Sequence, residues 1–155
     1  MANKMKEFKI DIVSGDIFLT DVKILPLDRI NFRSVAGSEF VKKSDWPVNF
    51  TIYSNSQTVL GSYPFQAKVW FTGDLLHLFS LHWLDGMTKQ KGWNSDESDL
   101  IRDKSSLTRL IKKIAGRDPD KTEEYEDIFD FNWGSIKVLG VRKAMYPKID
   151  ISWRP

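Results

Sequence analysis

The sequence has no cysteine among its 155 residues. A disulfide framework, a cysteine-ligated zinc site and a thiol nucleophile are therefore excluded, and the absence is typical of a reducing compartment. No run of residues approaches the roughly 18 apolar residues of a membrane-spanning helix. The first seven residues are polar and lack the apolar core of a secretory signal. These absences predict a cytoplasmic protein without a membrane partner.

A surplus of charge of one sign is also missing. The chain carries 23 Lys and Arg against 21 Asp and Glu, a net charge of +2, which is too small to indicate a nucleic-acid partner. Neither of the usual glycine-rich phosphate-binding patterns, G-x-G-x-x-G or G-x-x-x-x-G-K-[ST], occurs. We therefore expect no nucleic-acid partner and no cofactor.

Histidine is scarce as well, and its spacing argues against a metal site. His77 and His82 are five residues apart on one predicted strand, so they should point to opposite faces unless a bulge intervenes. No other pattern in the sequence is typical of an active site, which predicts a protein that is not an enzyme. The alternative is an enzyme whose site assembles from distant residues such as His77, Asp74 and Glu97.

Aromatic residues are abundant: ten Phe, six Trp and four Tyr. They are concentrated in alternating patterns with the period of two that is typical of half-buried strands. Residues 65–71 alternate in this way, Gly73 and Asp74 indicate a tight turn, and residues 75–84 form a second apolar run. This pattern predicts a β-hairpin at the centre of a sheet. Further strands are predicted near residues 8–12, 17–19, 48–52, 129–141 and 146–153.

One long helix is predicted over residues 97–115. Asp96 or Ser98 can cap its first turn, and Gly116 is typical of the position just after a helix. Its apolar residues recur at helical spacing, so they form one stripe that can pack against a sheet. The residues expected to be most important for this packing are Leu107, Leu110, Ile111 and Ile114.

The remaining stretches have weaker patterns. A short helix is expected over residues 26–34, and loops over residues 35–47 and 85–96, while the polar cluster 54–57 is expected to end a strand. The predicted order is several strands, one long helix and then further strands, which is typical of an α+β domain. We expect a single domain, residues 1–155, with a mostly antiparallel sheet of about five to seven strands and the long helix on one face.

Negative charge is concentrated between residues 118 and 130, where seven acidic residues are offset only by Lys121. This segment is either a solvated loop or a surface that attracts a basic partner. Trp93, in a predicted loop, either folds back on the core or anchors an interface. The candidate partner-binding residues are Asp118, Asp120, Glu123, Glu124, Tyr125, Glu126, Asp127 and Trp93.

The C-terminal third resembles a known class of proteins. The stretches FDFNWGSI (residues 129–136) and IDISW (residues 149–153) resemble the closing strands of small bacterial immunity proteins. Such proteins are encoded beside polymorphic toxins, including those of contact-dependent growth inhibition. The hairpin at residues 65–84 and the single long helix fit the same layout, so the resemblance covers about residues 63–153.

This resemblance implies a non-catalytic, cytoplasmic protein that binds one cognate toxin domain and blocks its active site or substrate groove. Such toxins are often basic nucleases, which the acidic segment would suit. The resemblance identifies no shared functional residues and implies no particular oligomeric state. The alternative function is a small-ligand-binding or adaptor module with an apolar pocket between helix and sheet.

Overall fold

The computed structural model describes residues 5–43 and 50–155, and the described residues form eleven strands and three α-helices. The helices are α1 (Arg29–Ala36), α2 (Met87–Lys91) and α3 (Glu97–Ala115). The strands are β1 (Lys6–Ile10), β2 (Ile17–Leu19), β3 (Val22–Leu25), β4 (Val41–Lys42), β5 (Phe50–Leu60), β6 (Tyr63–Thr72), β7 (Leu75–Trp83), β8 (Lys121–Thr122), β9 (Glu126–Phe131), β10 (Gly134–Val141) and β11 (Tyr146–Trp153).

The strands join in one mixed sheet with the order β3-β2-β1-β5-β6-β7-β11-β10-β9-β8. Every pairing is antiparallel except that of β1 with β5. The α+β class and the mostly antiparallel sheet are confirmed, but the expected five to seven strands are too few. Several of the additional strands have only two to four residues, too short to show a period of two in the sequence.

The predicted hairpin lies at the centre of this sheet. β6 and β7 pair from Phe65↔Trp83 to Thr72↔Leu75, and the turn at Gly73 has φ +61°. On β6 the alternate residues Phe65, Ala67, Val69 and Phe71 are fully buried, because they face the covered side of the sheet. We call this side the core face and the opposite side the open face.

The long helix α3 has the predicted bounds. The Asp96 side chain accepts a hydrogen bond from the Asp99 backbone N–H, and the Asp99 side chain accepts one from the Asp96 backbone N–H, which forms a reciprocal capping box. Gly116 ends the helix in the left-handed conformation, with φ +70°. The predicted stripe packs on the core face against β10 and β11. Its members Leu107, Leu110 and Ile111 are buried, and Ile114 is half-buried.

Two other parts of the chain cover the rest of the core face. Phe32 of α1 packs against Tyr53 and Phe71, with ring centroids 5.3 and 5.4 Å away. The N-terminal strands β1 to β3 also fold over the core, where Phe8 contacts Phe79 at 5.2 Å. The long helix therefore shares the core face with a second helix and a small three-stranded meander.

Two tryptophans hold the N-terminal meander in place. The indole N–H of Trp133 donates to the Ile12 carbonyl at 2.7 Å, and that of Trp153 donates to the Gly15 carbonyl at 2.7 Å. Gly15 has φ +80°, and a Cβ at this position would lie 2.3 Å from a Trp133 ring carbon. Glycine is thus required by both conformation and space. Residues more than a hundred positions apart in sequence are joined here.

Several predicted boundaries are wrong. The short helix begins at Arg29, after the cap Asp28, and continues to Ala36, and β4 forms in the expected loop 35–47. The cluster 54–57 does not end a strand, because β5 passes through it with a bulge between Asn55 and Thr58. The expected loop 85–96 contains α2 and a 3₁₀ turn at residues 92–94. The end of the predicted loop 35–47 and the start of the strand predicted near residues 48–52 lie outside the described residues.

Candidate partner-binding surface

The acidic segment, residues 118–130, is a hairpin of β8 and β9 that reaches from the end of α3 towards its start and then returns. Asp118 pairs with Lys112 in the last turn of the helix at 2.8 Å. Asp127 contacts the middle of the helix, and Tyr125 reaches Glu97 in its first turn. A 19-residue helix is about 28 Å long. The segment is therefore fixed along most of the helix and is not a free loop.

A buried ion pair fixes the middle of the segment. Lys104 Nζ lies 2.8 Å from Asp127 Oδ1, and both side chains are only 6% exposed. Lys104 also donates to the Glu123 carbonyl at 2.8 Å, and the Thr108 hydroxyl donates to Asp127 Oδ2 at 2.7 Å. The expectation that Asp127 belongs to the solvated surface is therefore wrong. Its carboxylate holds the segment on the helix.

Other acidic residues of the segment are neutralised by nearby cations. Beside the pairs of Asp118 and Asp127, Arg117 contacts Asp120 at 2.8 Å and Lys121 contacts Glu123 at 3.1 Å. Four of the seven acids thus form ion pairs. Three of the four cations, Lys104, Lys112 and Arg117, precede residue 118, so a count of charges within residues 118–130 includes only Lys121. In the described part of the chain, the acids without an ion pair are Glu124, Glu126 and Asp130.

Tyr125 is held at the start of α3 by a second small cluster. Arg142, in the β10–β11 turn, donates to Glu97 at 2.8 Å and lies over the Tyr125 ring, 4.8 Å from its centroid. Hydrogen bonds from Arg142 and Tyr125 lower the pKa of Glu97, so this exposed carboxyl stays ionised. Tyr125 and Glu124 are therefore presented beside a charged pair at one end of the helix.

Trp93 lies on the surface and not in the core. It is in the 3₁₀ turn between α2 and α3 and is fully exposed, at 105% of its reference area. Of the two interpretations of this residue, the one in which it folds onto the core is wrong. A large exposed side chain of this type is a frequent feature of interaction sites.

The open face of the sheet is a second surface, which the sequence reasoning missed. Cross-strand register places Lys68, Ser80, Asp150 and Lys137 in one row across β6, β7, β11 and β10. Ser80 donates to Asp150, whose other oxygen contacts Lys148 at 2.9 Å. With Lys68 and Lys137 at its ends, this row makes the middle of the open face polar and charged.

Both histidines lie on this open face, and the prediction of opposite faces is wrong. A bulge on β7 pairs Trp70 with Leu78 but Phe71 with Leu76, so His77 is the extra residue. Its ring contacts Phe50 at 5.7 Å. His82 stacks on Tyr146 at 4.9 Å.

The environment of His82 keeps its imidazole neutral near pH 7. Burial, together with the nearby Lys68 and Lys148, lowers its pKa from 6.5 to about 4, against the opposing effect of Asp150. A neutral imidazole stacked on Tyr146 contributes packing and no charge to the open face.

The other candidate sites do not assemble. Asp74 pairs with Arg29 at 3.1 Å and Glu97 pairs with Arg142 at 2.8 Å, so neither carboxylate is directed towards His77. Within residues 5–43 and 50–155, no three His, Asp or Glu side chains gather in a way that could hold a metal ion. No helix there is long and apolar enough to cross a membrane.

The space between α3 and the sheet is filled by side chains. Leu107 and Ile111 of the helix and Phe129, Ile136 and Val138 of the sheet are all fully buried in one continuous core. The expected apolar pocket between helix and sheet is therefore occupied by the protein itself. A groove of about 520 Å³ lies elsewhere, beside β5, and polar residues line most of it.

Comparison with known proteins identifies a structural likeness. No family model matches the sequence, and no curated protein matches it. The fold is similar to a chain of a solved structure described as Rhs1-CT in complex with cognate immunity protein RhsI1. The likeness covers 95% of this chain and 87% of that chain, with a TM-score of 0.52 and 10% sequence identity. At this identity the likeness concerns the fold, and it agrees with the resemblance to immunity proteins found in the sequence.

Proposed function

We propose that the chain is a toxin-neutralising immunity protein, which binds a cognate toxin domain and blocks its active site or substrate groove. The observation that carries the proposal is the fold shared, over 95% of the chain, with a chain from a toxin–immunity complex. A fold alone does not determine function. The surface supports the same conclusion, because the acidic segment is held rigidly on α3 by the buried pair of Lys104 and Asp127.

The proposed contact surface is the side of the molecule formed by α3, the acidic segment and Trp93. Among the described residues, Glu124, Glu126 and Asp130 form no ion pair and supply negative charge. Glu126 and Asp130 alternate with the buried Asp127 and Phe129, so they lie at the rim of this surface, on the open-face side of β9. Such charge accelerates encounter with a basic partner, which favours a basic toxin domain such as a nuclease. Asp118, Asp120 and Glu123 add less, because their ion pairs reduce their long-range field.

The direct test is neutralisation of the toxin domain encoded beside the gene for this chain. Co-expression should restore growth of cells that are inhibited by the toxin domain, and the two purified proteins should form a complex. An immunity protein from an unrelated toxin serves as the control for specificity. The proposal is wrong if the chain neither restores growth nor binds the toxin domain.

The contribution of the acidic segment is tested by charge reversal. Glu124→Lys with Glu126→Lys should slow association with the toxin by about tenfold at low salt, and the difference should shrink as salt screens the charges. The matched control is Glu7→Lys with Asp21→Lys, which makes the same charge change on the exposed N-terminal strands. Equal association rates for the two variants would show that the segment does not guide the partner.

The non-catalytic nature of the proposed function is tested at the histidines. His77→Gln with His82→Gln, in a protein shown to be folded, should neutralise the toxin as well as the unmodified chain does. Both rings lie on β7, which β11 and β10 separate from β9 and the acidic segment. Loss of neutralisation by the folded double variant would contradict a function that rests on binding through the α3 side.

A further inference from the structure

The segment that carries Trp93 contributes little to the core but is firmly held. α2 and the following 3₁₀ turn span residues 87–94, and Thr88 is the one buried residue among them. A surface segment with so few apolar contacts is normally among the most mobile parts of a protein. Here polar groups of α3 replace the missing apolar contacts.

Asp103 fixes the beginning of the segment. Its side chain is almost completely buried, and its two oxygens accept three hydrogen bonds. The donors are the Met87 N–H at 2.8 Å, the Thr88 N–H at 2.9 Å and the Thr88 hydroxyl at 2.8 Å. Asp103 thereby caps α2 from a neighbouring helix, because the residue at the cap position, Gly86, has no side chain to do so.

Asp99 fixes the end of the segment. It is also buried, accepts from Lys91 Nζ at 2.9 Å, and accepts from the Asp96 N–H at 3.1 Å in the capping box of α3. The turn itself is closed by Ser95, whose N–H and hydroxyl both donate to the Gly92 carbonyl. Trp93 therefore lies between two anchored points that are only a few residues apart.

Burying two carboxylates is unfavourable unless their hydrogen bonds are satisfied. In this protein the segment that presents the exposed Trp93 donates the three hydrogen bonds to Asp103 and the Lys91 contact to Asp99. Ordering a surface loop and its side chains normally weakens binding, and a turn that is already ordered avoids this cost. The arrangement is that of a preformed, convex contact point.

We infer that Trp93 is an anchor that inserts into an apolar pocket on the toxin domain, and that Asp99 and Asp103 are positioning residues that hold it in place. The inference rests on the proposed function and names the contact through which it acts. A projecting indole fits a concave pocket on a folded protein. Around the turn, Lys91 and Glu97 are already paired with Asp99 and Arg142, and Lys89 is offset by Asp96. The turn therefore has no basic surplus to attract an anionic membrane or a nucleic-acid strand.

The first test is the affinity of the full chain for the cognate toxin domain. Trp93→Ala should raise Kd by about 30-fold or more, as for interface hot spots, mainly through faster dissociation. Trp93→Phe should retain part of the affinity. The matched control is Leu75→Ala, which removes another exposed apolar side chain, 75% exposed at the start of β7, and should change Kd by less than about twofold.

The second test separates positioning from general stability. Asp103→Asn should weaken toxin binding by about three- to tenfold and speed amide hydrogen exchange in residues 87–94, because an acceptor oxygen is lost. In a Trp93→Ala background the same substitution should leave Kd unchanged, since there is no indole left to position. A purely structural role would lower affinity equally in both backgrounds.

The outcomes distinguish this inference from the proposed function. If the unmodified chain binds and neutralises the toxin and Trp93→Ala does so equally well, the inference is overturned and the function stands. If the unmodified chain does not bind the toxin, both are overturned. Trp93-dependent binding to anionic phospholipid vesicles or to single-stranded DNA, with toxin binding unaffected by Trp93→Ala, would also overturn the inference.

Discussion

The buried pair of Lys104 and Asp127 provides the sharpest test of how the acidic segment is held on α3. Lys104→Met keeps most of the apolar stem of the side chain but removes the ammonium. Asp127, 6% exposed, would then retain the hydrogen bond from Thr108 but no opposite charge. Met has nearly the same volume, so cavity formation adds little to the effect.

The magnitude follows from leaving a carboxylate buried without its partner. Removing one member of a buried ion pair costs about 3–5 kcal/mol. The hydrogen bond from Lys104 to the Glu123 carbonyl is also lost, but Glu123 is exposed and water can replace it. We therefore expect the free energy of unfolding to fall by about 3–5 kcal/mol, and Tm to fall by about 6–20 °C.

Urea denaturation at pH 7, followed by circular dichroism and tryptophan fluorescence, measures this change. Lys112→Met is the matched control, because it breaks the exposed pair with Asp118, whose side chains are 44% and 80% exposed. It should cost only about 0–1 kcal/mol. Lys104→Met with Asp127→Asn should recover most of the loss, since no charge then remains buried. Equal effects of the two Lys→Met variants would refute the reasoning.

Three further predictions concern the core, the open face and the N-terminal turn. Leu110→Ala should lower the free energy of unfolding by about 2–5 kcal/mol in denaturation experiments, and a loss below about 1 kcal/mol would contradict its burial. His82 should titrate by NMR with a pKa of about 4, below the 6.5 of an exposed histidine. Between these two pH values the unfolded chain binds more protons than the folded one, so this residue should make the free energy of unfolding rise with pH there. A titration midpoint near 6.5 would contradict the burial of the ring. Gly15→Ala should lower the free energy of unfolding by about 1–3 kcal/mol, since the added Cβ meets the Trp133 ring. In the control Gly73→Ala the added Cβ meets nothing within 4 Å, so only the strain of the positive φ is left. Equal losses of stability in the two variants would argue against the contact with Trp133.

The parts of the fold that the sequence predicted well are those set by neighbours in the chain. The bounds of α3 follow from the capping residue Asp96, the apolar stripe and Gly116, all within 21 residues. The central hairpin follows from alternation and the turn at Gly73. In both cases the deciding hydrogen bonds and apolar contacts form between residues close in sequence, so a local pattern is sufficient to show them.

Other features depended on pairing between distant residues, which a local pattern cannot show. The continuation of β5 through the polar cluster 54–57 depends on β6 and β4 as partners. The location of both histidines on the open face depends on a bulge in β7 that the sequence alone does not reveal. The parallel pairing of β1 with β5 likewise joins residues about fifty positions apart.

The same distinction between local pattern and distant pairing applies to the candidate site. The sequence alone identified the concentration of acidic residues and a tryptophan worth attention, because composition and position in the chain are visible there. Tertiary structure decided that Lys104 buries Asp127, that Lys112 neutralises Asp118, and that Trp93 is exposed. The physical reason is that charge pairing and solvent exposure depend on which distant groups the fold brings within a few ångströms.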